Sequence, residues 1–460
     1  MQILSKINSF IWGAPTILLI FFTGVIFTLR TNFFTIKNLR TAAKIFFKGD
    51  KKQNKIRLTP LQSASAALSA TMGTGNIVGV AGAIALGGPG AVFWMWVSAL
   101  FCMTIKFAEI VLAVRYRETN RDGSYIGGAM YYIKNALPRF FAPLATVFCI
   151  CGVAAAFGVG NMTQINTMSA SVIQLIRAVA TVSPRVEFFV KLAVGIICAV
   201  MSAFVLKNDG SVGRFCEKII PIMTVLYIGM TMGAIAVNYT KLPMAITQIF
   251  VGAFSPKGVT GGVIASAFVG VRFGMSRGVF SNEAGLGTAP TAYACSDGDE
   301  TSLGLMGVME VFIDTVVVCT LTALTLLCVG DITYGVDTAA TLTLGALTSV
   351  YGKNIIFVFC PVVCFFAFSS TVGWGLYGTK FVSFLWGEKS RKPFLFLFIA
   401  AQIPSAVFRA DAVWVIAEIL NGFMALPNIT ALLLLTNEVA DVTYSYKRKP
   451  QGKQPWSFIF

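Results

Sequence analysis

Two long apolar stretches of the chain are each interrupted near the middle by glycine and small polar residues. The first interruption covers residues 69–76 (SATMGTGN) within the stretch 60–86, and the second covers residues 271–278 (VRFGMSRG) within 261–291. Each stretch is long enough to span a bilayer, where backbone that leaves the helix loses its hydrogen-bond partners at considerable cost. Such interruptions persist only around a cavity that uses the freed groups, and a pair of them indicates the binding site of a secondary transporter.

The composition agrees with a protein that crosses the membrane many times. Hydrophobic residues make up 56% of the 460 residues, and charged residues make up only 12%. Apolar runs of about 18 or more residues, the length of a transmembrane helix, recur along the chain, which excludes a soluble enzyme. We predict eleven spans, at 10–30, 60–86, 90–115, 141–178, 187–206, 215–238, 261–291, 302–329, 354–386, 393–408 and 412–437.

The net charge of +16 does not indicate a nucleic-acid partner, because the basic residues are not gathered into one binding face. They are concentrated in alternate loops, at 30–57, 115–139, 207–218, 387–392 and 447–453. The positive-inside rule makes these loops cytoplasmic and places the N-terminus outside and the C-terminus inside. We therefore expect a multi-pass protein of a prokaryotic cell membrane, in which the acidic run 297–300 is the one cytoplasmic connection that departs from the charge pattern.

Once the first helix is set aside, the spans divide into two sets of five, each beginning with an interrupted stretch. The long linkers after the second span of each set, 116–140 and 330–353, would lie on opposite faces of the membrane, which implies inverted repeats. We predict an all-α polytopic fold with a five-plus-five inverted repeat and one extra N-terminal transmembrane helix. The predicted parts are the extra helix with a basic cytoplasmic loop (1–59), the first repeat (60–240), an external linker (241–260), the second repeat (261–438) and a basic cytoplasmic tail (439–460).

Local motifs do not support an enzyme. Residues 274–278 (GMSRG) match the G-x-S-x-G nucleophile elbow, but the chain has no histidine that could serve as the base. The Gly73-x-Gly75 pair lacks the surrounding βαβ unit of a dinucleotide site. The ten cysteines lie mostly inside spans and contain no C-x-x-C pair, so we interpret them as small buried residues.

The first interruption would present two helix ends at the middle of the bilayer. The carbonyls of Ser69 and Met72 end the inner half and suit a hard cation such as sodium, whereas amides from Gly73 to Asn76 suit a carboxylate. The second interruption would offer free carbonyls near Arg272 to an ammonium group. Together the two interruptions match a zwitterion.

Three segments of the chain closely resemble the alanine/glycine:cation symporter family: residues 87–99 (GGPGAVFWMWVSA), 128–133 (GAMYYI) and 281–290 (SNEAGLGTAP). The resemblance covers essentially the whole chain. It departs at Cys102, where the family usually has glycine, and at Ala129, where it often has proline. The resemblance implies the leucine-transporter-type fold of the amino acid–polyamine–organocation superfamily and the sodium-driven import of small neutral amino acids such as alanine and glycine.

The resemblance also implies a sodium site between the first and eighth core helices. Its ligands would be the carbonyls of Ser69, Met72 and Phe366 and the hydroxyls of Ser369 and Ser370. The alternative for these serines is a hydrogen bond back to their own helix. A second sodium position would involve Thr71 and Asn76.

For the substrate we predict a pocket built from both interruptions and from two further spans. Its residues are Thr71, Gly73, Gly75, Asn76, Gln164, Phe273, Gly274, Met275 and Trp374. The bulky side chains in this set would restrict the size of the substrate, so that alanine and glycine are accepted and larger residues less so. The alternatives are ordinary packing for Phe273, Met275 and Trp374, and hydrogen bonding between helices for Gln164.

Charged residues inside spans are functional by default, because they are costly in a bilayer. We assign Arg272, Arg277 and Glu283 to gating or structural ion pairs, in which Glu310 and Asp314 could also take part. Three alternatives to sodium symport stay open: a proton-coupled carrier that uses Glu283 or Asp314, an ion channel, and an amino acid sensor that does not transport.

Overall fold

The computed structural model describes residues 2–48, 57–254, 258–260, 263–265, 267–329, 332, 334, 339–408 and 410–448. This part of the chain is almost entirely helical, with two short antiparallel hairpins, β1 (Glu118–Thr119) with β2 (Tyr125–Ile126) and β3 (Gly258–Thr260) with β4 (Val263–Ala265). The α-helices are α1 (Gln2–Ile11), α2 (Ala14–Arg30), α3 (Phe34–Lys37), α4 (Leu39–Lys48), α5 (Pro60–Thr71), α6 (Val80–Gly87), α7 (Ala91–Arg115), α8 (Ala129–Ala136), α9 (Ala142–Phe157), α10 (Thr163–Arg177), α11 (Pro184–Val205), α12 (Asp209–Val237), α13 (Leu242–Phe254), α14 (Ala267–Asn282), α15 (Pro290–Tyr293), α16 (Glu300–Val311), α17 (Thr320–Val329), α18 (Ala339–Tyr351), α19 (Ile356–Trp386), α20 (Arg391–Ala400), α21 (Gln402–Ser405), α22 (Ala410–Leu434) and α23 (Thr436–Arg448).

Helices occupy all eleven positions at which the sequence predicts a span. Within the described residues, six helices are long and apolar enough to cross a membrane, and two bent pairs, α5 with α6 and α22 with α23, raise the number to eight. The other three positions hold α2, α14 and α20 with α21, each shorter than the roughly 18 residues that cross a bilayer. The count of eleven spans stays a prediction.

Three stretches of the described chain are π-helical: Gly75–Gly79 after α5, Gly158–Met162 between α9 and α10, and Phe312–Cys319 between α16 and α17. A π-helical turn widens the helix locally and is common at functional sites. The first and third of these stretches contact each other. Irregular backbone from both halves of the chain therefore meets in the interior.

The centre of the bundle is formed around α7, which packs on α14 and α16. The apolar part of α7 is 83% buried, whereas that of α11 is only 28% buried. On α11 the side chains of Phe188, Phe189, Val200 and Phe204 point outward. A helix that is apolar on its exposed side suits contact with lipid and not with water.

The N-terminal helices pack on the outside of this bundle. Helix α1 contacts α22, and α2 contacts both α7 and α22. Helix α4 lies within the predicted basic loop and contacts α16, with Ala42 and Phe46 buried. The amphipathic sequence of α4 explains this arrangement, because its basic residues stay outside while its apolar side covers the bundle.

One end of the molecule, which we call the basic face, carries Arg57, Arg115, Arg117, Lys380 and Arg391. The acidic run 297–300 lies at this face and supplies carboxylates to two arginines, with Arg57–Asp297 at 2.9 Å and Arg115–Glu300 at 3.0 Å. The run thus departs from the charge pattern because it forms ion pairs. Residues 49–56, Lys257, Arg409 and the tail after Arg448 lie outside the described residues, and the orientation of the termini stays a prediction.

Candidate functional site

The first break in the helical backbone lies at residues 72–74, as the sequence predicts. Helix α5 begins at a capping box in which Thr59 accepts from the Gln62 amide, and it ends at Met72, whose backbone is extended with φ −75° and ψ 97°. The helical segment that follows, Gly75–Gly87, is bent by 49° relative to α5. Ser69, Met72 and Asn76 are all buried. The prediction of an interrupted helix with buried ends is therefore confirmed for the first half.

Glycine at position 73 is required by its neighbour on α19. A Cβ atom on Gly73 would lie 2.7 Å from the Ser370 hydroxyl and 3.7 Å from Oε1 of Gln164. Two other elements, α19 and α10, therefore approach the first break closely. At Gly75 the neighbour is Ser281 of α14, whose Cα would be 3.4 Å from an added Cβ.

The serines predicted to hold sodium lie between α5 and α19. Ser370 donates to the Ser69 carbonyl at 2.8 Å, which joins the two helices directly at the first break. Ser369 instead donates to the Phe366 carbonyl of its own helix at 2.8 Å, and Thr371 donates back to Ala367. The back-bonding alternative therefore describes Ser369 in this state, whereas Ser370 bridges two helices.

Asn76 connects the first break to a buried carboxylate. Its Oδ1 accepts from the Gly73 amide at 3.0 Å, and its Nδ2 donates to Oδ1 of Asp314 at 2.7 Å. Oδ2 of Asp314 accepts from Ser281 at 2.8 Å and from Thr315 at 2.9 Å. Sequence reasoning gave Asp314 only an ion-pairing or titrating role and passed over Ser281, although the resembling motif 281–290 contains it. The π-helical segment around Asp314 had no signal in the sequence.

The second break was predicted at residues 271–278, and this placement is wrong. Those residues belong to the continuous helix α14, and the chain leaves the helix at residues 283–289, which we call the second break. Glu283 has φ +53°, and Gly285 and Gly287 have φ +89° and +74°. The carbonyls near Arg272 are consequently not at a helix end.

The glycines of residues 271–278 serve helix packing. A Cβ on Gly274 would lie 2.3 Å from the Ala91 carbonyl oxygen, and one on Gly278 would lie 2.9 Å from the Ser98 hydroxyl. Both contacts are with α7. Small residues let two membrane helices approach closely, and this packing produces the same glycine pattern as a helix interruption.

Three predicted substrate residues lie on this part of α14. Gly274 faces α7, and the Phe273 side chain lies beside Gly87 at the end of α6, 2.9 Å from a Cβ built there. Met275 is buried. The residue of α14 that meets the first break is Ser281, so the basis for assigning these three to the substrate is lost, and their role stays a prediction.

Gln164 and Trp374 have polar atoms that no described group satisfies. Nε2 of Gln164 donates to the Val159 carbonyl at 3.2 Å, but its Oε1, which lies near Gly73, has no partner. Trp374 is completely buried and its Nε1 has no partner. The Thr71 hydroxyl bonds back to Ala67 and Leu68 of its own helix. Buried polar atoms without partners are rare, and at a site they indicate groups left free for a ligand.

The predicted gating charges are separated from one another. Arg277 pairs with Glu418 of α22 at 2.6 Å, and the same carboxylate accepts from Asn8 of α1. The Arg272 guanidinium lies 5.8 Å from the centre of the Phe273 ring. Glu283 is buried at the start of the second break and accepts from Thr288 at 2.6 Å. Of the other two acidic residues, Glu310 pairs with Lys106 at 3.3 Å, while Asp314 is bonded to neutral groups.

At the basic face, the start of the first core helix is joined to the chain that follows the second break. Leu58 donates to the Cys295 carbonyl and accepts from the Asp297 amide. The guanidinium groups of Arg57 and Arg117 lie 3.7 and 3.9 Å from the centre of the Tyr125 ring. Burial lowers the pKa of Arg117 from its usual value. These contacts join the N-terminal end of α5 to the chain that follows the second break.

Known sequences resemble this chain over its whole length. The sequence profile of the sodium:alanine symporter family matches residues 1–458. The sodium/alanine symporter AgcS of Methanococcus maripaludis is 37% identical over 98% of this chain and 99% of its own length. An uncharacterized transporter of Haemophilus influenzae is 37% identical over 97% of this chain and 96% of its own. The probable sodium/glutamine symporter GlnT of Bacillus subtilis is 31% identical over 97% of this chain and 91% of its own length.

Solved structures show the fold. MhsT in complex with L-phenylalanine matches with a TM-score of 0.60 and 13% identity, covering 85% of this chain and 99% of MhsT. A manganese transporter from Eremococcus coleocola matches with a TM-score of 0.51 and 12% identity, covering 83% of this chain and 77% of the manganese transporter. Both have the leucine-transporter-type fold, so the predicted fold class is confirmed. The prediction of a transporter and not an enzyme is confirmed as well. The chain belongs to the sodium:alanine symporter family.

Proposed function

We propose that the protein imports a small neutral amino acid, alanine or glycine, together with sodium across a prokaryotic cell membrane by alternating access. The observation that carries the proposal is the contact of Ser370 with the Ser69 carbonyl, beside Gly73 and the unpartnered oxygen of Gln164. The ligand sets that we propose below for the ion and for the substrate would therefore adjoin at the first break. The names of the relatives AgcS and GlnT, sodium/alanine and sodium/glutamine symporters, support the same class of coupling.

For sodium we propose the carbonyls of Ser69, Met72 and Phe366 with the hydroxyls of Ser369 and Ser370. Hard cations prefer oxygen ligands, and the C-terminal end of α5 adds the negative end of a helix dipole. Binding requires the Ser370 proton to turn away from the Ser69 carbonyl, so that the hydroxyl oxygen and the carbonyl oxygen can both face the ion. Ser369 and the Phe366 carbonyl, now bonded to each other, would both face the same ion.

For the amino acid we propose the residues around the first break, Thr71, Gly73, Gly75 and Asn76, with Gln164 and Trp374. Oε1 of Gln164 has no partner among the described residues and would accept from the ammonium group. The amides that follow Gly73, whose own N–H is bonded to Asn76, would suit the carboxylate. Each helix-end interaction contributes about 0.3–2 kcal/mol, so several must combine to reach the roughly −4 to −8 kcal/mol of a millimolar to micromolar ligand. The buried Trp374 ring restricts the space for a side chain, which favours alanine and glycine.

The driving force is adequate for accumulation. One sodium ion that enters down a potential of about 100 mV releases about 2.3 kcal/mol. A tenfold concentration gradient adds about 1.4 kcal/mol. Together these values support accumulation of several hundred-fold by mass action. The direction of import further requires that the basic face is cytoplasmic, as the positive-inside rule predicts.

The test is uptake of labelled alanine into proteoliposomes under an inward sodium gradient, with matched potassium and inward proton gradients as controls. We expect transient accumulation with sodium alone, competed by glycine. Accumulation with protons alone would move the coupling site to a carboxylate such as Asp314. Absence of uptake under every gradient, with glutamine also tested, would favour the sensor or channel.

The variant Ser370→Ala tests the ion site directly. We expect the half-saturating sodium concentration to rise about tenfold, which corresponds to about 1.4 kcal/mol for one lost ligand. The matched control is Ser349→Ala on α18, where the hydroxyl only bonds back to Ala346. Equal sodium dependence in the two variants would contradict the proposed ligand set.

A further inference from the structure

An acidic side chain outside the proposed binding site holds the second break. Glu109 lies on α7 and is completely buried. Its Oε1 accepts from the amides of Gly285 and Gly287, both at 3.0 Å. The same oxygen accepts from Nδ2 of Asn428 on α22 at 2.6 Å. One carboxylate oxygen therefore collects three donors from two other parts of the molecule.

The second break needs such an acceptor because its amides have lost their helical partners. Gly285 and Gly287 both have positive φ, which turns their N–H groups away from the carbonyls of the preceding turn. In a membrane interior no water replaces those partners, so an acceptor must come from a neighbouring helix. Glu109 is that acceptor for two alternate amides, an arrangement that resembles an anion-binding nest.

The position of Glu109 is itself fixed by a chain of side chains. Asn428 donates to the Gly285 carbonyl at 2.8 Å in addition to Glu109. The Tyr132 hydroxyl of α8 donates to Oδ1 of Asn428. Helices α8, α22 and α7 are thus joined to the second break by consecutive hydrogen bonds.

All three groups that donate to Glu109 within the described part of the chain are neutral amides, and no ion pair there includes its carboxylate. The nearby ammonium of Lys106 pairs with Glu310, which also accepts from Tyr293. Glu283, the other acidic group close to Lys106, is bonded to Thr288. Oε2 of Glu109 is buried and receives no hydrogen bond from any residue that the structure describes. All three hydrogen bonds that Glu109 accepts reach the other oxygen.

We propose that Glu109 is a positioning residue for transport, which holds the second break in place through one acceptor oxygen and not through its charge. It touches neither of the proposed ligand sets. The expected effect of Glu109 on transport rests on the proposed function. The expected effect of Glu109 on the backbone of the second break is independent of that function.

Two conservative variants separate the role of the Glu109 acceptor oxygen from the role of its charge. Glu109→Gln keeps the length and the acceptor oxygen and removes the charge, whereas Glu109→Asp keeps the charge and withdraws the acceptor by one methylene. Hydrogen exchange of the peptide that covers residues 283–289 is measured in the purified, full-length protein. We expect Glu109→Asp to raise exchange about tenfold, about 1.4 kcal/mol of lost protection, and Glu109→Gln to exchange like the parent.

Transport provides the second readout. If the parent shows sodium-driven uptake, Glu109→Gln should retain most of it, and Glu109→Asp should lose most of it with intact folding by gel filtration. The matched control is the pair Glu187→Gln and Glu187→Asp at the exposed start of α11, which should leave exchange at 283–289 unchanged.

Any other pattern overturns the proposal. Fast exchange in the Gln variant with protection in the Asp variant would assign the role to charge. Protection in both would show that Glu109 does not hold the second break, and loss of protection or folding in both would show that the acceptor oxygen is not sufficient. A parent without uptake but with the expected exchange pattern would refute the proposed function and leave the positioning role intact.

Discussion

At the scale of single residues, glycine has two different roles that look alike in the sequence. Gly73 makes room for the Ser370 hydroxyl at the first break, whereas Gly274 makes room for the Ala91 carbonyl between two packed helices. Gly79 has no atom within 4 Å of an added Cβ. Only the neighbours brought by the fold distinguish a glycine at a helix break from a glycine between packed helices and from one with no close neighbour in the described residues.

The variant Gly73→Ala tests the close contact between the first break and α19. Its Cβ would lie 2.7 Å from the Ser370 hydroxyl, closer than real contacts permit, so Ser370 must move away from Ser69. We expect the half-saturating sodium concentration for uptake to rise about tenfold, equivalent to about 1.4 kcal/mol. Gly79→Ala, in the following π-helical segment, is the control and should behave like the parent. A normal sodium dependence in Gly73→Ala would count against an ion site at Ser370.

At the scale of elements, the glycines of residues 271–278 serve the packing of α14 on α7 and not a helix interruption. Gly274 and Gly278 let the two helices approach, and the helix leaves its regular path only after Asn282. The second break then takes its hydrogen bonds from α7 and α22, through Glu109 and Asn428. An interrupted membrane helix is therefore maintained by its neighbours and not by its own sequence alone.

This contact yields a prediction of stability. In Gly274→Ala the new methyl group would meet the Ala91 carbonyl oxygen at 2.3 Å, and a backbone atom cannot move aside cheaply. Overpacking of this kind costs about 1–3 kcal/mol, so we expect a lower melting temperature in detergent. Gly229→Ala on α12, where an added Cβ meets nothing within 4 Å, is the matched control and should be neutral or slightly stabilising. A melting temperature equal to that of the control would refute close packing at this position.

At the scale of the whole molecule, the contacts at the basic face join the N-terminal end of α5 to the chain that follows the second break. Leu58 and the chain from Cys295 to Asp297 share two backbone hydrogen bonds, and Arg57 pairs with Asp297. Alternating access requires such contacts to open and close, with states separated by a small free energy. The Arg57–Asp297 pair is partly exposed, so its contribution is modest, about 0.2–1 kcal/mol.

Asp297→Asn should therefore shift the protein toward a state open at the basic face. Cys295 is a reporter, because it is buried beside this pair and burial raises the pKa of its thiol, which keeps the reactive thiolate scarce. We expect maleimide labelling of Cys295, measured on its peptide by mass spectrometry, to accelerate by up to about fivefold. Asp122→Asn, whose carboxylate bonds only within its own exposed loop at Ser124, is the control. Equal labelling in both variants would show that the ion pair does not hold this end closed.

Much of the fold could be predicted from the sequence because hydrophobic length and charge placement act locally. The apolar runs specify where helices lie, and the positions of all eleven predicted spans contain helices. The first interruption was located correctly because two glycines and small polar residues follow Ser69 in a run with few other helix breakers. The family resemblance, carried by three motifs, was confirmed over the whole chain.

The tertiary structure alone decided which chemical groups meet. Glu109 falls under the rule that charged residues inside spans are functional, but the sequence says nothing about the amides of residues 285 and 287 that its side chain contacts. Asn76 and Asp314 are distant in sequence, and a π-helical segment turns Asp314 toward the first break. The second break lies at residues 283–289 and not at the predicted residues 271–278, because the glycine motif packs on α7 and stays helical. Local hydrophobicity determined that this chain crosses a membrane many times, and three local motifs indicated its family. Hydrogen bonds and packing between distant helices determined where the helical backbone is interrupted.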